Sequence, residues 1–341
     1  MKSREFFSLN GELEEGVDQG IQKGNPEYKE LHESSPEFEG YLGDVDFESL
    51  KSSFISLLKK TDVAPESINM VFADDIIFSS RDLEDGGTYM MMQNMITLNP
   101  EVIEAYGKDN GVSEKLFFLE TLIHEEVHAV SKFNCQGFLE YDNGEEFGML
   151  FRQAGYGLET FERTNDEERR DRAFALFDEG VTELLAREVT RDYLKSHPEF
   201  ENGNEIKRYF DPANNRPYQI PVFFVEALIE KIVHETGVSR DTVWGAIIRG
   251  KLEGENLANE DFRELAAEVL GKSMLEGLFK VNEEYNQMVM VGLMESMDIN
   301  EINPELWKRV QQHVDTVKRA QQKQYQAELD NENRDASNEA A

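Results

Sequence analysis

At 341 residues the chain can bury a substantial core as one large domain or two modest ones, without covalent staples. Its 69 Asp and Glu against 35 Lys and Arg give a net charge of −34, which repels phosphate backbones and anionic lipid and argues against nucleic acid or a membrane surface as partner. A single cysteine, Cys135, excludes an intramolecular disulfide and a cysteine-based zinc site; no stretch approaches the about 20 apolar residues that span a bilayer, and the N-terminus lacks a signal-peptide core, so the expected setting is the cytoplasm.

Residues 1–43 are rich in Glu, Gly, Ser and Pro, as in GNPEYKELHESSPEFEG, and predict a poorly ordered acidic arm. Phe47, Leu50, Phe54, Leu57 and Leu58 recur at helical spacing. Two apolar runs then predict strands: 68–78, interrupted by Asp74 and Asp75, and 88–98, TYMMMQNMITL, which follows the turn residues Gly86 and Gly87. Beyond Pro100 the pattern reads as helical almost throughout, over about 101–107, 113–133, 166–195, 220–236, 239–250, 260–271 and 304–329. Strands early and helices late predict an α+β fold, with a small N-terminal sheet and a mainly helical C-terminal part. The last helix carries a thin apolar stripe of Trp307, Val310, Val314 and Val317 for docking, and the final DNENRDASNEAA is too polar to pack and predicts a disordered tail.

The helix over 113–133 carries His124-Glu125-Glu126-Val127-His128, an HExxH pattern. Residues four apart lie one above the other on a helix, so both imidazoles can grip one ion, and zinc favours neutral imidazole nitrogen at about 2.0–2.1 Å. Glu125 points beside the ion, where a general base can take a proton from water whose pKa zinc lowers to about 7. Ser113 suits the N-cap, and Leu116, Leu119, Ile123, Val127 and Val130 form an apolar stripe with the histidines at its margin.

A catalytic zinc keeps three protein ligands and one open position. The extended pattern HExxHxxGxxH is not met, because Ser131 and Asn134 stand at its Gly and His positions. The segment 174–186 offers carboxylates instead. Phe174, Phe177, Val181 and Leu184 mark a buried helix face, and Glu179 and Glu183 lie one turn apart beside it. Buried carboxylates need partners: the metal for Glu179, and an imidazole N–H of a ligand histidine for Glu183. Asp178 and Glu183 stand as rival ligands, and an exposed acidic helix face is the plainer alternative. Gly180 inside this helix suggests close approach of the two ligand helices.

HEEVH followed by Asp178-Glu179-Gly180-Val181-Thr182-Glu183 resembles the gluzincins, zinc metallopeptidases whose third ligand is a glutamate. The resemblance covers about 66–195. It implies Glu125 as general base, His124, His128 and Glu179 as zinc ligands, Glu183 as the residue orienting a histidine, and an edge strand before the HExxH helix along which substrate pairs its backbone. Asp178 stands where many relatives have Asn. The family steadies its oxyanion with a later Tyr or His; Tyr218 is the first choice and His234 the second, with plain packing or capping the alternative for each. The implied division is an arm over 1–43, a zincin-like catalytic domain over 44–200, a helical subdomain over 201–303 completing the cleft, and a polar helix and tail over 304–341. The expected function is hydrolysis of a peptide or protein substrate with one zinc per chain. The alternatives are a zinc hydrolase of a non-peptide amide or ester, and a non-catalytic zinc protein that binds or regulates a partner.

Overall fold

A computed structural model describes residues 3–10, 32–68, 70–80, 85–91, 93–142, 145–164, 168–201, 205–209, 218–253, 269–271 and 287–339. β1 (Ser3–Asn10) is followed by α1 (Pro36–Gly43), α2 (Phe47–Lys60), β2 (Asp75–Phe78), β3 (Gly87–Met90), β4 (Met95–Leu98), α3 (Pro100–Asn110) and α4 (Glu114–Ala129). Four strands come next: β5 (Phe133–Asp142), β6 (Glu145–Ala154), β7 (Gly157–Thr164) and β8 (Glu168–Ala173). Among the described residues that follow, the elements are helical: α5 (Ala175–Tyr193), α6 (Glu205–Tyr209), α7 (Gln219–Thr236), α8 (Arg240–Glu253), α9 (Gln287–Ser296), α10 (Ile299–Ile302) and α11 (Pro304–Glu339). The architecture is mixed α and β, in keeping with an α+β class, and no described helix is long and apolar enough to cross a membrane.

The expected pattern is overturned most clearly over 133–173, where an antiparallel sheet of order β1-β5-β6-β7-β8 replaces helix and loop. Asp142 of β5 pairs with Glu145 of β6, the residues Asn143-Gly144 lying outside the described residues, and Ala154 pairs with Gly157 across the tight turn Gly155-Tyr156. Asn-Gly favours a two-residue hairpin, and Gly155, at φ +54, takes a left-handed conformation open to glycine. Strand β8 occupies the first turns of the helix expected from 166, and α5 begins only at Ala175.

The arm is also partly ordered. β1 pairs along its whole length with β5, and Phe38 of α1 is fully buried; residues 11–31 lie outside the described residues. The tail differs likewise, since α11 continues to Glu339. The helix expected over 260–271 falls outside the described residues apart from 269–271.

The single strand expected over 88–98 is a hairpin. β3 and β4 flank a turn in which Asn94 adopts φ +46 and its Oδ1 accepts the Tyr89 hydroxyl at 2.8 Å, and β4 is central in the order β2-β4-β3. β3 is therefore an edge strand, and it lies on α4: a Cβ at Gly87 would come within 3.0 Å of Thr121 and Glu125. Of the run 68–78 only Asp75–Phe78 forms strand, parallel to β4.

α4 starts where Ser113 Oγ accepts the Leu116 N–H at 3.3 Å, as the sequence suggests. Burial surrounds the helix, beyond the expected stripe, taking in Phe118, Leu122, His124, Glu125 and Glu126 as well as Leu119 and Ile123. Gly180 has a different purpose from the one its position suggested: a Cβ there would sit 2.6 Å from the Pro221 carbonyl oxygen, so the glycine admits α7 against α5. Phe177, Phe224, Met294 and Val310 belong to one hydrophobic cluster, which crosses the boundaries expected at 200 and 303.

Candidate metal centre

α4 and α5 bring three ligand atoms together. His124, His128 and Glu179 each place a nitrogen or oxygen within 4.8 Å of the other two. Glu179 Oε2 lies 3.2 Å from His124 Nε2 and 3.4 Å from His128 Nε2. Two ligands at about 2.05 Å from a tetrahedral ion stand about 3.3 Å apart, so the three residues could hold a metal ion.

The back of each imidazole faces another carboxylate. Glu183 Oε2 is 3.1 Å from His124 Nδ1, and Arg187 Nε donates to Glu183 Oε1 at 2.8 Å while its Nη2 donates to Gln219. Asp178 Oδ2 stands 3.9 Å from His128 Nδ1, long for a hydrogen bond but close enough to orient the ring electrostatically. Asp178 Oδ1 accepts from Lys251 Nζ and from the Tyr156 N–H, both at 2.8 Å. Where Glu183 holds the Nδ1 proton of a neutral His124, the Nε2 lone pair faces the anionic Glu179 Oε2, and either a second proton or a cation between them relieves that contact. Four carboxylates, Glu125, Asp178, Glu179 and Glu183, stand near the charges of Arg187 and Lys251 and the two imidazoles, and a bound cation would offset part of that negative charge.

Titration follows the same logic. Burial opposes charge on His124, yet hydrogen bonds to Glu179 and Glu183 outweigh it and lift the imidazole well above its ordinary value. Burial pushes Glu179 up, while charge on His128 and hydrogen bonds from both rings hold it far below the usual carboxylate range. Glu125 is raised chiefly by burial, against the pull of the two histidines and of the Tyr89 N–H. Glu126 faces the other way, accepts from the Ala73 N–H at 3.0 Å and is pushed by burial up to about 8, so it is mostly neutral at pH 7.

The three ligand residues, Glu125 and Tyr218 line one cleft of about 340 Å³, whose walls include β3. Tyr218 stacks on His124, with centroids 5.5 Å apart and planes at 13°, and opens α7 with φ +55. Such a non-glycine φ costs about 1–2 kcal/mol and is tolerated where packing fixes it. His234 does not join them; it is exposed on the last turn of α7. Asp178 is not a member of the triad and instead links α5 to the β6–β7 turn, where a Cβ at Gly155 would meet its Oδ1 at 2.5 Å.

Sequence reasoning missed part of the cleft lining. Arg152, Glu159 and Arg172, from β6, β7 and β8, line the same cleft and share one sheet row, as Arg152↔Glu159 and Glu159↔Arg172. The signals were present in the turn residues Asn143-Gly144 and Gly155-Tyr156-Gly157. In comparisons with protein-family models, curated proteins and solved structures, the chain matches none.

Proposed function

We propose that the chain is a zinc-dependent metallopeptidase of gluzincin type, with His124, His128 and Glu179 as the metal's ligands and Glu125 as general base. The observation that carries the proposal is the convergence of two imidazole Nε2 atoms on Glu179 Oε2, with Glu125 facing the same cleft. Bound zinc would supply Lewis acidity, polarising a carbonyl and making water a better nucleophile near neutral pH.

The chain's own residues do the rest. Glu125, lifted by burial, is suited to take a proton from the attacking water and pass it to the amine nitrogen as the C–N bond breaks, leaving a carboxylate and a free amine. Tyr89 fixes that base from the backbone of the edge strand, and a substrate lying along β3 would bring its own backbone past Glu125. Glu183, backed by Arg187, and Asp178, backed by Lys251, hold the two rings in orientation. Tyr218, beside His124, is the candidate to steady the developing oxyanion.

Glu125→Gln tests the reading. The amide keeps shape but cannot accept the proton, so the variant should retain about one zinc per chain by elemental analysis while peptide cleavage falls by at least about 100-fold. Cleavage at the wild-type rate would remove Glu125 as base, and absence of zinc from the wild-type chain would remove the metal site itself.

A further inference from the structure

Around Glu159 the charge balance runs opposite to that of the chain. Its Oε1 accepts from Arg170 and, at 2.9 Å, from Arg172 Nε, and its Oε2 accepts from Arg152 Nη2. Glu159 is buried, while the side chains of Arg152 and Arg172 keep 29% and 46% of their exposure and line the cleft. Three guanidiniums, those of Arg152, Arg170 and Arg172, gather on this one carboxylate. A chain with a net charge of −34 has gathered arginines at the same cleft that the histidine pair lines.

Glu159 also fixes their aim. A guanidinium carries five N–H donors in a rigid fork, and the bond to Glu159 occupies one of those on Arg152. The row also lies near the metal ligands. Arg152 and Glu159 are one pair removed from Gln153 and Leu158, and Gly157, which closes the turn, would place a Cβ 3.9 Å from Asp178, the neighbour of Glu179. Two strand residues span about 7 Å, the reach of two residues of an extended peptide.

We propose that Arg152 and Arg172 form a carboxylate-binding subsite, so that the cleft selects peptides bearing an acidic side chain or a free C-terminus about two residues from the metal. Naming that ligand a substrate rests on the peptidase reading; the binding itself does not. A carboxylate seated between the two forks gains charge-assisted hydrogen bonds, which at a partly desolvated site amount to about 10- to 100-fold in affinity over the neutral amide.

The test is a binding measurement on zinc-loaded Glu125→Gln full-length chain, so that neither turnover nor its absence intrudes. The probes are acetyl-alanine hexapeptide amides with a single Glu scanned along the interior, their Gln counterparts, and the all-alanine peptide as free acid and as amide. Contact of a carboxylate with the metal is recognised as a preference that persists when the arginines are replaced. The expected result is a Glu over Gln preference of at least about 10-fold at one register, or the same preference for the free acid, falling to within about 2-fold in Arg152→Gln and Arg172→Gln and partly kept in Arg152→Lys. Which arm responds identifies the source of the carboxylate. Equal binding of acid and amide peptides throughout overturns the subsite, as does a preference that survives both replacements. Wild-type chain that cleaves no peptide but shows the arginine-dependent preference would overturn the peptidase reading alone.

Discussion

Two groups of charge line the same cleft, and each is built around one glutamate. At Glu179 the neighbours are neutral-capable imidazoles, and the surrounding carboxylates outnumber Arg187 and Lys251. At Glu159 the neighbours are three guanidiniums that can never lose their charge. The first group gathers carboxylates, the chemistry of a cation site, and the second gathers guanidiniums, the chemistry proposed above for a carboxylate. They also differ in how they are held. The helix pair fixes its group by helical spacing and by the buried Glu183 and Arg187 behind His124, whereas the sheet fixes its group by register, with the arginines still partly exposed. A ligand bridging a metal at one end and a guanidinium row at the other would be oriented before any chemistry begins.

The largest effect should come from emptying the helix-pair group. Glu179→Ala removes the oxygen on which both Nε2 atoms converge, and zinc content after dialysis should fall close to zero, whereas Glu183→Ala should weaken zinc affinity by about 10- to 100-fold through loss of the partner of His124 Nδ1. Zinc measured for the two variants side by side gives the ranking. If Glu183→Ala empties the site and Glu179→Ala keeps the metal, the ligand assignment on α5 is wrong by one turn.

How much of each group could be read from the chain follows from what holds it. His124 and His128, or Glu179 and Glu183, are four residues apart, and helical spacing writes such neighbours directly into the sequence. The α4 N-cap, its apolar residues and the Glu179–Glu183 pair were legible for that reason. Arg152, Glu159 and Arg172 become neighbours only through strand pairing, which follows from two hairpin turns and is invisible to a helical template. Strands β5–β8 are also rich in charge, so their alternation does not stand out as hydrophobic periodicity; Glu168–Ala173 reads ERRDRA. The pairing of β1 with β5 spans more than a third of the chain, a separation that local propensity cannot report. Gly180 was legible as a close approach but not as an approach to Pro221, because a glycine names no partner.

The seam between the two groups offers a smaller test. Asp178 sits on α5 next to Glu179 but takes its hydrogen bonds from the β6–β7 turn and from Lys251, whose side chain has no exposure. Lys251→Met keeps the volume and leaves a buried carboxylate with only the Tyr156 N–H, which should cost about 3 kcal/mol of stability in urea unfolding. A loss below about 1 kcal/mol would mean that Asp178 relaxes into the cleft and that the two groups are not mechanically joined through it.

The smallest effect concerns the sheet group alone and is read from pH. Burial works against the Glu159 carboxylate, but hydrogen bonds from Arg170 and Arg172 and the charge of Arg152 outweigh it and hold its pKa below the ordinary value. A depressed folded-state pKa means that the unfolded chain takes up the proton first, so the stability Glu159 contributes is complete above about pH 4.5 and is lost as pH falls through the folded-state value. Glu159→Gln should therefore melt below wild type by a near-constant 1–2 °C or so from pH 8 to pH 5, and the gap should close on further acidification. Zinc and its ligands titrate in overlapping ranges, so the comparison is made with both chains stripped by chelator, which leaves only the sheet group different between them. A gap that widens below pH 4.5 has the wrong sign for a carboxylate stabilised by guanidiniums, and it would show that the three arginines hold Glu159 less firmly than they repel one another.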